Sequence, residues 1–210
     1  PFPLDHALPL LEWGLNWRIA MQAHQFLMLH AAAIAKGDYA IVMPALPGSG
    51  KSTLCAALML SGWRLLSDEF GLIRPDDPDL MLHPLPRVIP LKNASIAIIR
   101  EFSGDAILGP TFPETRKGDV AHLAPTVESQ QCWTDTAKPK LLLFPKYVAG
   151  APFELSVLNP AEAFLKLAGN SFNYRLQGAR GFRTLTSLAK RCTAYTLTYG
   201  DLDDAIVHIN

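Results

Sequence analysis

The chain has 210 residues, of which 49% are apolar and 18% are charged, and its 19 basic residues balance 19 acidic ones. This length is enough for one well-filled core, and the neutral charge balance gives no support to a nucleic-acid surface or a polybasic membrane anchor. The longest apolar run, residues 26–35, is too short for a membrane span of about 20 residues and contains His30.

The three cysteines are isolated from one another. Cys55, Cys132 and Cys192 are far apart and form no C-x-x-C pair, which favours a reducing, cytoplasmic location. The chain opens at Pro1 without a methionine, so we expect an N-terminal region of the full protein to be missing. Within residues 1–210 we predict a single domain.

The first part of the chain predicts a helix, a hairpin of two strands and a second helix. The turn signal Lys36-Gly37-Asp38 joins the two strands, and Gly62 is a natural stop for the second helix. The corresponding segments are residues 10–23 (helix), 26–35 and 39–43 (strands) and 51–61 (helix).

The rest of the chain also predicts a mixture of strands and helices. Residues 63–73 predict a strand that is interrupted by acids and then resumes, and residues 103–119, rich in Gly, Pro and Thr, predict a long loop. The remaining predictions are a turn at 74–79, irregular structure at 84–90, helices at 94–102, 159–168, 178–192 and 201–208, and strands at 141–144, 153–158 and 195–199. This mixture predicts the α/β class.

The clearest motif is A-L-P-G-S-G-K-S-T at residues 45–53, between a predicted strand and a predicted helix. Small residues let backbone N–H groups wrap a phosphate, a lysine reaches the β and γ phosphates, and the next hydroxyl binds Mg²⁺. Ala45 replaces the first glycine of the strict pattern. The predicted nucleotide-binding residues are Pro47, Gly48, Ser49, Gly50, Lys51, Ser52 and Thr53. The alternative is a glycine-rich turn without a ligand.

Two acids follow one helix after this loop. Asp68 and Glu69 end the strand that begins near Trp63, and the intervening crossover has about the length of a βαβ unit. Asp68 is therefore expected beside the phosphates, where such enzymes need an acid for Mg²⁺; the alternative is two exposed acids at a turn. His30 is either a core residue or, through the hairpin, part of the same pocket.

Four cations are candidates for substrate or phosphate contacts. Arg87 and Lys92 flank a short apolar stretch, and Arg116 and Lys117 lie in the predicted long loop. Phosphoryl transfer spreads negative charge that cations stabilise. Each of them is equally compatible with solvated surface charge.

Taken together, these motifs resemble the HPr kinase/phosphorylase family, and most closely its HprK-related kinase A group, which is associated with bacterial exosortase gene clusters. In that family a histidine strand, a phosphate loop and a paired-acid motif occur in this order. The resemblance covers nearly the whole chain. The matching segments are residues 12–17 (E-W-G-L-N-W), 29–31 (L-H-A), 45–53, 62–69 (G-W-R-L-L-S-D-E), 90–93 (P-L-K-N), 115–122 (T-R-K-G-D-V-A-H) and 171–174 (S-F-N-Y).

The resemblance implies a single P-loop kinase domain with a central mixed sheet flanked by helices, which uses ATP and Mg²⁺ to phosphorylate a serine of a small protein or peptide. It implies that Lys51 holds the β and γ phosphates, and that Ser52, Asp68 and Glu69 hold the metal. Asp68 would also accept the proton of the attacking hydroxyl, and His30 would orient Asp68. It further implies a homo-oligomer, for which exposed aromatic residues near the N-terminal helix are candidates.

The sequence departs from this family in one respect. The family has a glycine-rich stretch with a glutamate after its paired acids, and Glu101 is the nearest, poorly matching candidate. Two alternatives to a protein kinase therefore stay open. One is a P-loop kinase of a small-molecule hydroxyl, and the other is a non-catalytic ATP-binding regulatory module.

Overall fold

A hairpin of two buried strands forms the centre of the fold. In the computed structural model, which describes residues 3–210, β1 (Leu27–Lys36) pairs antiparallel with β2 (Tyr39–Pro44), as predicted. Gly37 makes the turn with φ of +58°, a conformation that costs glycine little. Successive alanines of β1 are buried on opposite faces of the sheet, because both faces are covered by other elements.

The hairpin is part of a mixed eight-stranded sheet, which confirms the predicted α/β class. Its strand order is β10-β11-β9-β2-β1-β4-β5, and β3 pairs with β1 beside β4. Strands β2, β9 and β11 run parallel to one another, whereas the other pairs are antiparallel. The further strands within the described residues are β3 (Arg64–Ser67), β4 (Phe70–Ile73), β5 (Leu82–His83), β6 (Ile89–Lys92), β7 (Phe112–Thr115), β8 (Gly118–Leu123), β9 (Lys138–Tyr147), β10 (Glu154–Leu158) and β11 (Thr193–Tyr199).

Helices cover both faces of this sheet. On one face α2, α3 and α7 share a core with a small antiparallel sheet of order β6-β8-β7, and on the other face α5 and α6 pack against the hairpin. None of the helices within residues 3–210 is both long and apolar enough to cross a membrane. The helices are α1 (Ala7–Gln22), α2 (Lys51–Leu60), α3 (Ala94–Phe102), α4 (Val127–Gln131), α5 (Pro160–Gly169), α6 (Tyr174–Arg191) and α7 (Leu202–Ile209).

The small sheet was not predicted. The predicted long loop at 103–119 contains β7 and the first residues of β8, and the predicted irregular stretch at 84–90 contains the start of β6. Strands β6 and β7 have only four residues each, too few for a periodic pattern to stand out from the sequence. The edge strand β6 also contains Pro90, which is tolerated only where no neighbour needs its N–H group and which argues against a strand in a sequence.

Two helices begin earlier than predicted. The first starts at Ala7 instead of residue 10, and α6 starts at Tyr174 instead of residue 178. Gly178 interrupts α6 with φ of +53° and ψ of −129°, so the sequence pattern identified only the part after this break.

The expected βαβ unit is modified. Strands β2 and β3 are both antiparallel to β1 and hence parallel to each other, but β1 lies between them. The helix α2 therefore crosses over one intervening strand. The strand predicted at 63–73 is divided into β3 and β4 at Asp68 and Glu69, and both parts pair with β1.

We predict that Asn173→Ala lowers the free energy of unfolding by about 1–3 kcal/mol, because it removes the partners of two buried backbone groups. Asn173 is 1% exposed, accepts a hydrogen bond from the Met28 N–H (3.0 Å) and donates one to the Phe26 carbonyl (2.8 Å). Urea denaturation measures the change. Ser156→Ala on the exposed strand β10 is the control, and an equal effect of both variants contradicts the prediction.

Candidate functional site

The glycine loop connects the end of β2 to the start of α2. Its two glycines are both in the left-handed region, Gly48 with φ of +85° and Gly50 with φ of +84°. Ala45 is 6% exposed, which explains why only a small residue fits the first position of the motif. The loop thus has the conformation that glycine permits and delivers Lys51 to the first turn of α2.

Two tyrosines, at the ends of β9 and β11, form hydrogen bonds to the glycine loop. The Tyr147 N–H donates to the Ser49 carbonyl (2.9 Å), and the Tyr199 hydroxyl donates to the Gly50 carbonyl (3.2 Å). Burial, and secondarily the neighbouring Tyr147, raises the pKa of Tyr199 well above its usual value. The Tyr199 hydroxyl therefore keeps its proton and stays a hydrogen-bond donor.

Asp68 connects the end of β3 to the start of α2. It is 5% exposed, and its Oδ2 accepts a hydrogen bond of 2.8 Å from the Ser52 hydroxyl. The Lys51 ammonium lies 3.3 Å from Asp68 Oδ1 and also donates to the Asp68 carbonyl oxygen. The lysine, hydroxyl and acid that the sequence predicted as one unit are therefore in direct contact.

His30 contacts Glu69, the residue after the acid that it was expected to orient. His30 Nε2 lies 3.5 Å from Glu69 Oε1, with side-chain exposures of 22% and 30%. The two acids thus have different partners, since Asp68 contacts Ser52 and Lys51. Burial lowers the pKa of His30, and the Glu69 carboxylate opposes this shift.

A cavity of about 570 Å³ opens above the glycine loop. Among the predicted site residues that line it are His30, Glu69, Lys92, Lys117 and residues 47–53 of the loop. Burial, and secondarily the neighbouring Lys117, lowers the pKa of Lys92. Asp68 is not in the lining; it lies beneath Lys51 and Ser52.

Two predicted cations do not line this cavity. Arg87 donates a hydrogen bond to the Asn16 side chain on α1, whose amide in turn donates to Glu12. Arg116 is exposed beside the hairpin turn between β7 and β8. Of the four candidate cations, Lys92 and Lys117 are the two that line the cavity.

Sequence reasoning missed the residues of α1 near the site. Glu12 is 8% exposed, and its pKa is raised by burial and then by Glu69. The Trp13 ring lies under the Lys117 ammonium, 4.7 Å from the ring centroid. The segment 12–17, which was among the segments that resemble the kinase family, was the one sequence feature that could have indicated that α1 lies near the site. Glu101, the nearest candidate for a later glutamate, is exposed on α3 and is not among the residues that line the cavity.

The chemistry of the donors fits Mg²⁺. Within residues 3–210 there is no group of three or more His, Cys, Asp or Glu side chains that would hold a metal ion by itself. Mg²⁺ usually needs only one or two carboxylates, because substrate phosphates and waters complete its octahedral shell. The Ser52 hydroxyl and the Asp68 carboxylate would supply two oxygen atoms of this kind.

Comparison of the sequence with protein-family profiles found no match, and a search of curated proteins found none either.

We predict that Gly50→Ala destabilises the protein more than Gly48→Ala. Both variants force a left-handed alanine, which costs about 1 kcal/mol. At Gly50 the added Cβ would also lie 2.6 Å from the Tyr199 hydroxyl and 2.9 Å from the Tyr147 Cβ, whereas at Gly48 nothing lies within 4 Å. We expect the overlap to add on the order of 1–3 kcal/mol in urea denaturation. Equal losses would contradict this account.

We predict that His30 titrates below its usual pKa of about 6.5 and that Glu69→Gln lowers the value further. The Glu69 carboxylate raises the pKa of His30 against the effect of burial, so its neutralisation removes a stabilising partner of the imidazolium. An NMR titration of the imidazole protons measures both values. Glu128→Gln on α4 is the control and should leave His30 unchanged. A rise after Glu69→Gln would refute the assigned contact.

Proposed function

We propose that the protein is an ATP- and Mg²⁺-dependent kinase of the HPr kinase type, which transfers the γ-phosphate to a serine hydroxyl of a small protein or peptide. The observation that carries the proposal is the 2.8 Å hydrogen bond between Ser52 and Asp68, with Lys51 beside it beneath a cavity lined by the glycine loop. A glycine-rich turn without a ligand does not need a buried acid paired with a buried lysine. Such a pair costs desolvation free energy and is weak evidence for a purely structural role.

Each residue has a role that follows from its position. The backbone N–H groups of the loop bind the phosphates, and the first turn of α2 adds its dipole. Lys51 turns from Asp68 to the β and γ phosphates when the nucleotide binds. Ser52 and Asp68 would hold Mg²⁺, with Glu69 as a further carboxylate near them. When bound, the ion neutralises charge on the phosphates.

The transfer step then needs a proton acceptor. The serine oxygen forms a bond to the γ-phosphorus, the bond from that phosphorus to the β–γ bridging oxygen breaks, and ADP leaves. Asp68 accepts the hydroxyl proton through the oxygen that Lys51 has released. Lys92 and Lys117 face the same cavity and stabilise the negative charge that spreads over the phosphoryl oxygens.

The partner and the assembly remain predictions from the resemblance. The aromatic side chain that best suits an interface between copies of the chain is Trp17, which is 65% exposed on α1. Trp13, in contrast, packs under Lys117.

The proposal predicts that Asp68→Asn lowers phosphoryl transfer by about 10²–10⁴-fold, the usual contribution of a general base. The experiment uses γ-labelled ATP, Mg²⁺ and an extract of the source cells. The expected result is one labelled small protein with the parent protein and none with the variant. Asp79→Asn is the control, since Asp79 pairs with Lys138 at the surface.

Three outcomes oppose the proposal in different ways. A labelled metabolite in place of a protein selects a small-molecule kinase. ATP binding without any labelled product selects a regulatory module. If Glu69→Gln abolishes labelling and Asp68→Asn does not, the roles of the two acids are exchanged.

A further inference from the structure

A second cavity of about 630 Å³ lies beside the glycine loop and contains none of the predicted catalytic residues. Its walls come from β9, β11 and the end of α5. It shares loop residues 46–49 with the 570 Å³ cavity above the glycine loop, called the phosphate cavity below. One extended ligand can therefore occupy both cavities by following the loop.

The strand order places this cavity away from the acid. Strands β9 and β11 lie on one side of β2, whereas β1 and β3, which carry His30 and lead to Asp68, lie on the other. A hydroxyl that is deprotonated by Asp68 has to approach from the Asp68 side. The part of the nucleotide beyond its phosphates is then directed to the opposite side, where the carboxyl ends of the parallel strands β2, β9 and β11 meet.

The lining suits a flat group with polar edges. The Tyr147 ring is 45% exposed and packs edge-on against Tyr199, with ring centroids 5.6 Å apart. Thr196 and Thr198 contribute hydroxyls, and none of the described lining residues is acidic. Aromatic side chains of this kind stack on bases.

Asn170 supplies a directional group. Its Nδ2 donates to the Lys166 carbonyl (2.9 Å), which identifies Oδ1 as the acceptor atom of the amide. Oδ1 is buried and has no hydrogen-bond partner among the described residues. An acceptor without a donor costs free energy that a ligand with an N–H group recovers.

We propose that this second cavity holds the nucleoside of the bound ATP, with its base on Tyr147 and its exocyclic amino group donating to Asn170 as the amide turns toward the cavity. This inference rests on the proposed function, because it assumes that the loop holds the phosphates. It assigns to Asn170 the selection of bases that carry an amino group.

Calorimetric titration with Mg²⁺ present tests the inference. The ligands are ATP, inosine triphosphate, in which an oxygen replaces the amino group of adenine, and tripolyphosphate, which has no nucleoside. We expect the parent protein to bind ATP about tenfold more tightly than either of the other two. Asn170→Ala should reduce the ratio between ATP and inosine triphosphate to about one and leave tripolyphosphate binding unchanged.

Two results would overturn the inference without contradicting the proposal that the glycine loop binds the phosphates. They are an unchanged ratio in Asn170→Ala and tripolyphosphate binding as tight as that of ATP. If the parent protein binds none of the three ligands, or if Lys51→Ala leaves their binding unaltered, the proposed function itself fails. Should Asn170→Ala not fold, Tyr147→Ala replaces it, with Tyr147→Phe as the control that keeps the ring. Tyr147→Ala should weaken ATP binding about tenfold with no change for tripolyphosphate, and equal weakening of both ligands counts against the inference.

Discussion

The contact of Asp68 with Lys51 and Ser52 is the interaction on which the site depends. It joins the end of β3 to the first turn of α2, although β3 and the strand that leads into α2, β2, lie on opposite sides of β1. Lys51 and Asp68 have side-chain exposures of 7% and 4%, so both charges have lost most of their hydration. Their attraction and the hydrogen bonds around them compensate this cost, and the loss of either partner would leave an uncompensated buried charge.

The loop is held from two sides, and this arrangement keeps its shape independent of a ligand. On one side are the bonds to Asp68, and on the other are the hydrogen bonds from Tyr147 and Tyr199. A loop that is already ordered loses little conformational entropy when it binds an anion, which favours affinity. The same two tyrosines lie against Gly50, which explains why Gly50 tolerates no side chain whereas Gly48 is exposed.

The charges around the phosphate cavity are distributed between its walls. Lys51 and the loop form the floor, Lys92 and Lys117 come from the small sheet, and Glu69 with His30 comes from the bend of the central sheet. The helix α1 closes this region through Trp13, which packs on Lys117. This grouping of cations next to two acids is the arrangement on which the proposed phosphoryl transfer depends, in which the acids would bind the metal and the proton while the cations stabilise the phosphoryl oxygens.

The sequence alone determined the α/β class, the hairpin and the loop motif, because these depend on local patterns: buried strands with a Lys36-Gly37-Asp38 turn, and glycines followed by Lys51 and Ser52 before a helix. It also indicated that Asp68 lies near the loop. Only the tertiary structure decided that β1 separates β2 from β3, that His30 contacts Glu69, and that Arg87 is bound to α1. These contacts join residues far apart in the chain, and a strand period or a charge pattern carries no information on which distant partner a side chain meets. Tyr147 and Tyr199 illustrate the same limit, since their role arises only from the parallel pairing of β9 and β11 beside the loop.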